Sequence, residues 1–317
     1  MSRVLFTGGG GAGNEALWRL LGNRYELHFA DADPEAFDPA ITRSRCHVIP
    51  LGSADGFVDE LAKLCRRIEI DLLVPGVDEE LLPLARNSKH FGPTRLLIPS
   101  LDYIETMLDK FSTARRLAAA AIPVPRTQLT NVPCEIPFPC IAKPRRGRGS
   151  RDVRVVRGDV DLSLLVAVSD SSGIDMVLQE KIVGDEYTVM MAADQEGRLA
   201  AVVPVKVGLK RGITLRARTE AEPTVMAACK AIHHAIPTPG CYNVQLILTR
   251  GGEALPFEIN PRISTTFCLS VAAGIDPIAI FFGHIQIPSS DLLAFQVGIE
   301  LRRYWRNHIQ WLGRNEI

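Results

Sequence analysis

The sequence predicts an α/β amino-terminal part on a parallel sheet, followed by an α+β part built largely from antiparallel strands. Three observations carry this. A β-favouring run, Arg3–Thr7, leads through six Gly and Ala residues into a helical pattern over Asn14–Leu21. Strand and helix patterns then alternate to residue 98, as crossover connections between parallel strands require. After a stretch, 122–144, that holds six of the 21 prolines, short β-like runs follow one another with few helices between them.

Taken in order, Ala16, Leu17, Leu20 and Leu21 give the first helix its apolar face. A second strand, 26–30, ends at Asp31 and Asp33. An amphipathic helix over 57–68 precedes a third strand, 70–74, which Pro75 and Gly76 close, and 96–98 is a fourth. A helix is predicted over 102–121, with Leu108, Phe111 and Leu117 on one side and Pro123 as its stop. Strands are then expected at 140–142, 153–156, 176–179, 186–192, 199–207, 244–248 and 254–258. The expected units are 1–98, 99–182 and 183–317.

Of 317 residues, 46% are apolar and 23% charged, enough to bury sizeable cores and to exclude disordered and fibrous classes. Thirty-six basic side chains balance thirty-six acidic ones, which removes the global field of a dedicated nucleic-acid or anionic-membrane binder. Seven scattered cysteines without a CxxC pair read as buried thiols in a reducing compartment. No signal-peptide pattern opens the chain. The longest apolar stretch, 269–287, is interrupted by Asp276, Pro277 and His284, so a cytoplasmic protein without a membrane partner is expected.

Four places carry candidate chemistry. Gly8, Gly10 and Gly13 fit GxGxxG between a strand and a helix, with Asp31 about 20 residues on. This pattern serves either a dinucleotide or a tight turn in a Rossmann-like domain. The segment 143–151 puts Lys143, Gly147, Gly149 and four arginines between two strands. Glycines let backbone N–H groups approach phosphate oxygen, and the cations offset its charge. A Gly-Lys-Ser/Thr P-loop is missing, and so are the stacking aromatics of an RNA-binding segment. Third, Glu258 and Asn260 lie on one side of an extended run, with Gln245 expected opposite across a hairpin turning at Arg250-Gly251-Gly252. Oxygen donors so placed suit a hard cation such as Mg²⁺, and Arg262 follows them. Fourth, Lys206, Lys210, Arg211, Arg216 and Arg218 form a cationic run, either an anion-binding loop or a solvated edge. His233-His234 lacks metal-ligand spacing and reads as a helix pair. Tyr304 and Trp305, flanked by Arg302, Arg303 and Arg306, read as packing of the C-terminal segment rather than a nucleic-acid patch.

Lys143-Pro144, the glycine loop, Gln179-Glu180-Lys181-Ile182, Glu186, Asn243-Val244-Gln245 and Glu258-Ile259-Asn260-Pro261-Arg262 occur in the order seen in ATP-grasp enzymes. The chain resembles that superfamily over most of its length, and within it the module of the carbamoyl phosphate synthase large subunit. The resemblance implies an ATP-grasp fold, with ATP between two α+β subdomains behind a Rossmann-like domain. It implies that Lys110 and Lys143 contact ATP phosphates while Gly147, Gly149 and Ser150 fold over them. Glu180 and Ile182 would take the adenine edge through their backbone, with Gln179 and Lys181 beside them in the nucleotide-binding set, Glu186 would take the ribose, and Gln245, Glu258 and Asn260 would hold one or two Mg²⁺ or Mn²⁺ ions, with Glu258 bridging. Arg262 would steady a phosphorylated intermediate with Glu258, and Lys210 and Arg216 would face the substrate. Gln245 stands where many such ligases have an acid.

The activity so implied is an ADP-forming carbon–nitrogen ligase acting on a small carboxylate and an amine. Carboxyphosphate or carbamoyl phosphate chemistry, and nucleotide sensing without turnover, are the alternatives. The oligomeric state stays open, a homodimer included.

Overall fold

The computed structural model describes residues 1–149, 151–288, 291–304, 307 and 309; Ser150, Trp305 and Arg306 lie outside them. The first layer is a parallel sheet of β1 (Arg3–Thr7), β2 (Glu26–Asp31), β3 (Cys46–Val48), β4 (Leu72–Val74) and β5 (Arg95–Leu96), in the order β3-β2-β1-β4-β5. Helices α1 (Asn14–Leu21), α2 (Phe57–Arg67) and α3 (Asp78–Arg86) connect it. The order reverses between β1 and β4, so the crevice at their carboxyl ends is where such a sheet receives ligands. α3 was not expected, because Pro83 lies within it.

The long helix expected over 102–121 is two, α4 (Leu101–Met107) and α5 (Lys110–Ala119). Asp109 separates them: its carboxylate accepts the Ser112 N–H at 3.0 Å and caps α5. That break turns Lys110 to the start of a helix, where it faces the neighbouring layer.

The second sheet is β6 (Thr127–Leu129), β7 (Cys140–Pro144), β8 (Arg154–Val156) and β9 (Met176–Glu180), ordered β6-β9-β7-β8 with α6 (Asp159–Ser172) across it. The third is antiparallel, β14-β13-β10-β11-β12-β15. Its strands are β10 (Gly184–Ala193), β11 (Leu199–Arg211), β12 (Ile213–Thr219), β13 (Gly240–Thr249), β14 (Ala254–Asn260) and β15 (Glu300–Arg302). It is accompanied by α7 (Pro223–Ala235), α8 (Phe267–Ala272) and α9 (Pro277–Phe281). Sequence reading missed β3, β6, β12 and β15, of which three are only three residues long.

The largest apolar cluster is shared between layers. Phe6, Leu17 and Phe29 of the first layer pack in one buried cluster with Met190, Ala192, Ala201, Phe267 and Ile278 of the third. Five cysteines are buried and two half-buried, all free. His233 sits in the core, its ring nitrogens 2.9 Å from the Tyr242 hydroxyl and from Gly197 O. Among the described residues no helix is long and apolar enough to cross a membrane.

Candidate active site between the second and third sheets

The glycine turn after β1 is engaged with its own protein. Gly9 N–H donates to Ala30 O at 2.8 Å, Gly10 N–H to Asp31 Oδ2 at 2.9 Å and Gly11 N–H to Gly8 O at 2.8 Å. Asp31 therefore caps the turn instead of waiting for a ribose. A Cβ on Gly10 would lie 2.4 Å from that of Ala36, so the following loop already fills the approach. The glycines serve a tight turn.

The cavity lies elsewhere. A cleft of about 420 Å³ opens between the second and third sheets. It gathers Lys110, Lys143, Gly147, Gly149, Gln179, Glu180, Lys181, Ile182, Glu186, Lys210, Gln245, Glu258, Asn260 and Arg262, nearly the whole set singled out from sequence. Arg216 is the correction: its side chain is exposed on β12 and does not line the cleft.

On the second sheet, β7 and β8 form the hairpin expected around 143–151, pairing Ile141 with Val155. Gly147 and Gly149 take φ of 135° and 71°, conformations that favour glycine and bring backbone close to the cavity. Lys110 Nζ donates to Gly147 O at 2.7 Å, tying the loop to α5. Lys143 is 4% exposed, and its Nζ donates to Gln179 Oε1 at 2.9 Å and Phe257 O at 3.1 Å. Gln179 lines the cleft and also holds this lysine, while its Nε2 donates to Thr127 Oγ1 at 2.9 Å. Burial lowers the Lys143 pKa to about 8; Glu258 opposes the shift, and the nearby Lys110 and Lys210 add to it. The Glu180 carboxylate is committed to Arg126 at 3.2 Å, which holds it below the usual range.

On the third sheet, β13 pairs with β14 so that Gln245 stands opposite Glu258 and Asn243 opposite Asn260. The hairpin inferred from spacing is present, and it brings amide and carboxylate oxygens to one face. One carboxylate with two amide side chains is an all-oxygen donor set, which fits a hard divalent cation completed by waters or phosphate. Asn243 Nδ2 is buried beneath this face without a partner, while its Oδ1 accepts from Thr188 Oγ1 at 2.9 Å. Lys210 reaches the same face, 2.6 Å from Glu186 Oε1 and 3.1 Å from Gln245 Oε1.

The first layer does not line the cleft, but two of its acids hold arginines that do, in the segment 76–79 that sequence reading places at a ligand entrance. Asp78, in the first turn of α3, pairs with Arg262 Nε, and the adjacent Glu79 takes Arg148 Nε at 2.9 Å. Their signal was position: they follow the carboxyl end of β4 at the point where the strand order reverses.

The ATP-grasp domain family matches residues 107–266, just over half of the chain and the segment that carries nearly all of this lining. The chain belongs to the ATP-grasp family. No curated protein matches it. Among solved structures, the biotin carboxylase domain of 2-oxoglutarate carboxylase from Hydrogenobacter thermophilus is similar to this ATP-grasp protein at TM-score 0.70 and 15% identity. The match covers 91% of this chain and 71% of that one, and that structure was solved with MgADP and bicarbonate. N5-carboxyaminoimidazole ribonucleotide synthetase from Thermotoga maritima reaches TM-score 0.64 at 20% identity, over 93% of this chain and 79% of its own. An L-amino acid ligase from Bacillus licheniformis reaches 0.64 at 16%, over 90% and 78%. At such identities the likeness is one of fold, and it takes in the parallel amino-terminal layer as well.

Proposed function

We propose that this ATP-grasp protein is an ATP-dependent, ADP-forming ligase that activates a small carboxylate for attack by an amine. One observation carries the proposal: a single cleft joins two phosphate-type lysines, Lys110 and Lys143, to the oxygen face of Gln245, Glu258 and Asn260 and to Arg262. On this reading the residues divide into 1–98, 99–182 and 183–317, with the nucleotide held between the last two.

The substrate carboxylate oxygen attacks the γ-phosphorus, the bond to the β–γ bridging oxygen breaks, and ADP leaves. The amine nitrogen then attacks the acyl carbon, inorganic phosphate leaves and the nitrogen loses a proton. Lys110, Lys143 and Arg262 place fixed positive charge where negative charge shifts. Mg²⁺ held by Glu258, Asn260 and Gln245 would supply charge neutralisation at the phosphates. The bicarbonate and MgADP in the Hydrogenobacter relative favour a second reading, in which the activated acid is bicarbonate and the product of the first step is carboxyphosphate.

The test is ADP release from Mg-ATP with panels of acids, amines and bicarbonate, beside the thermal shift given by a non-hydrolysable ATP analogue. Glu258→Gln should lower ADP release by about 10²–10³ while the fold melts unchanged. Full activity in that variant would reject the site. Bicarbonate-stimulated release without any amine would favour the second reading.

A further inference from the structure

Arg145, the first residue after β7, is held through both its backbone and its side chain. Its N–H donates to Asp175 O at 2.8 Å, beyond α6, and its carbonyl accepts the Lys110 N–H at 3.0 Å. Two arms of its guanidinium converge on one oxygen of Asp109, Nε at 2.8 Å and Nη2 at 2.7 Å from Oδ2. The other oxygen, Oδ1, accepts the Ser112 N–H that caps α5. The guanidinium also lies 5.9 Å from the centre of the Phe111 ring, on the same helix. The Asp109 side chain is 3% exposed. Burial pushes its carboxyl up, but Arg145 and the Ser112 N–H outweigh that and hold it below the usual range, so it stays charged.

This junction lies between the two phosphate-type lysines. Lys143 stands just before Arg145 on β7, and Lys110 directly follows Asp109 at the start of α5. Lys110 Nζ donates to Gly147 O, just beyond Arg145. Asp109 and Arg145 do not themselves line the cleft. We propose that Asp109 is a positioning residue: through Arg145 it fixes the exit of the 145–149 loop from β7 against α5, and with it the spacing of Lys110 and Lys143 that a triphosphate must match. This rests on the ATP-dependent reading above and adds the residue that spaces its two lysines. Gly147 and Gly149 leave the loop itself conformationally permissive, so its geometry has to be set where it leaves the strand. Charge fixed beforehand costs no reorganisation when the phosphates arrive.

Asp109→Asn tests this, because asparagine still caps the helix while the charge that holds Arg145 is gone. Calorimetry with Mg²⁺ and a non-hydrolysable ATP analogue should show affinity lowered about tenfold, equally in Arg145→Gln and no further in the double variant. Adenosine, which has no phosphates for the lysines to meet, should bind each variant as it binds the wild type. In the unliganded full chain, trypsin should cut after Arg146 and Arg148 about tenfold faster in Asp109→Asn. Asp109→Ser, also a capping residue, serves if the asparagine variant does not fold. Additive losses in the double variant, equal losses for adenosine and the triphosphate, or wild-type affinity and cleavage in the folded variants would each overturn the proposal. No nucleotide bound by the wild-type protein would instead overturn the ATP-dependent reading, and the lysine spacing with it.

Discussion

Arg262 and Asp78, 184 positions apart in the chain, form an ion pair between Arg262 Nε and Asp78 Oδ1, with side chains only 13% and 14% exposed. Arg262 Nη1 also donates to Ile263 O at 2.8 Å, so the guanidinium is fixed from two sides. The pair couples the residue that follows the Glu258–Asn260 run to the first turn of α3 in the parallel layer.

Asp78→Ala should therefore act through Arg262. ADP formation falls about 10–100-fold from misplacement of the guanidinium, while the thermal shift with an ATP analogue is retained. Loss of a largely buried partner also costs about 1–3 kcal/mol of stability. Steady-state kinetics and denaturant melts check both, and unchanged turnover would detach Asp78 from the site.

On the proposed ATP-dependent reading, Lys143 should make nucleotide affinity depend on pH. Its folded pKa, about 8, lies below its unfolded value. The charged form therefore costs folding free energy below pH 8, and that cost is relieved as pH rises from about 8 towards the unfolded pKa. A triphosphate restores the charge, so binding takes up a proton near pH 8–9 and weakens by up to about tenfold per pH unit above that. Calorimetry in buffers of different ionisation enthalpy measures the uptake. Lys143→Arg, which stays charged, should flatten the profile.

Glu80 gives the opposite slope to stability. The carboxyl is 4% exposed and accepts a hydrogen bond from the Thr7 hydroxyl. Burial raises its pKa to about 8, and the neighbouring Asp31 and Glu79 add to the rise, while Thr7 and Arg148 oppose it. A carboxyl raised in the folded state stabilises fully below its unfolded pKa, and that contribution is lost as pH climbs through about 8. Glu80→Gln should melt higher than wild type at pH 8 and flatten the decline between pH 5 and 8. Parallel melting curves for the two proteins would show Glu80 charged in the fold.

The glycine turn is structural, and Gly10→Ala should show it. The new methyl meets Ala36 Cβ at 2.4 Å and Ala36 O at 2.9 Å, costing about 1–3 kcal/mol. NADH should leave the wild-type melting temperature unchanged. A rise with NADH would return the turn to dinucleotide binding.

Much of this site was legible in the sequence because its chemistry sits on short-range patterns. Glu258, Asn260 and Gln245 follow from strand alternation across one hairpin, and Lys143 with its glycines from a loop between two strands. What stayed hidden depends on long-range placement. Nothing near Asp78 announces Arg262, and charge counting over 206–218 could not separate Lys210, which bulges turn inward, from Arg216, which stays on the surface. The broken helix was written locally, in Asp109 three residues before Ser112, but the apolar spacing of Leu108, Phe111 and Leu117 masked it. α3 was concealed by Pro83, and the edge strands by their brevity.

Asp78 and Glu79 are consecutive residues, and each fastens a different arginine of the cleft: one Arg262 after the hairpin, the other Arg148 in the loop between β7 and β8. The stretch 107–266 that defines the family contains neither of them. Excised as a cassette, or grafted behind a foreign amino-terminal layer, it would carry its lysines and oxygen ligands but two untethered arginines. The inheritable unit of this chemistry is thus larger than the segment by which it is recognised, and chimaeras should succeed only when the α3 acids travel with it.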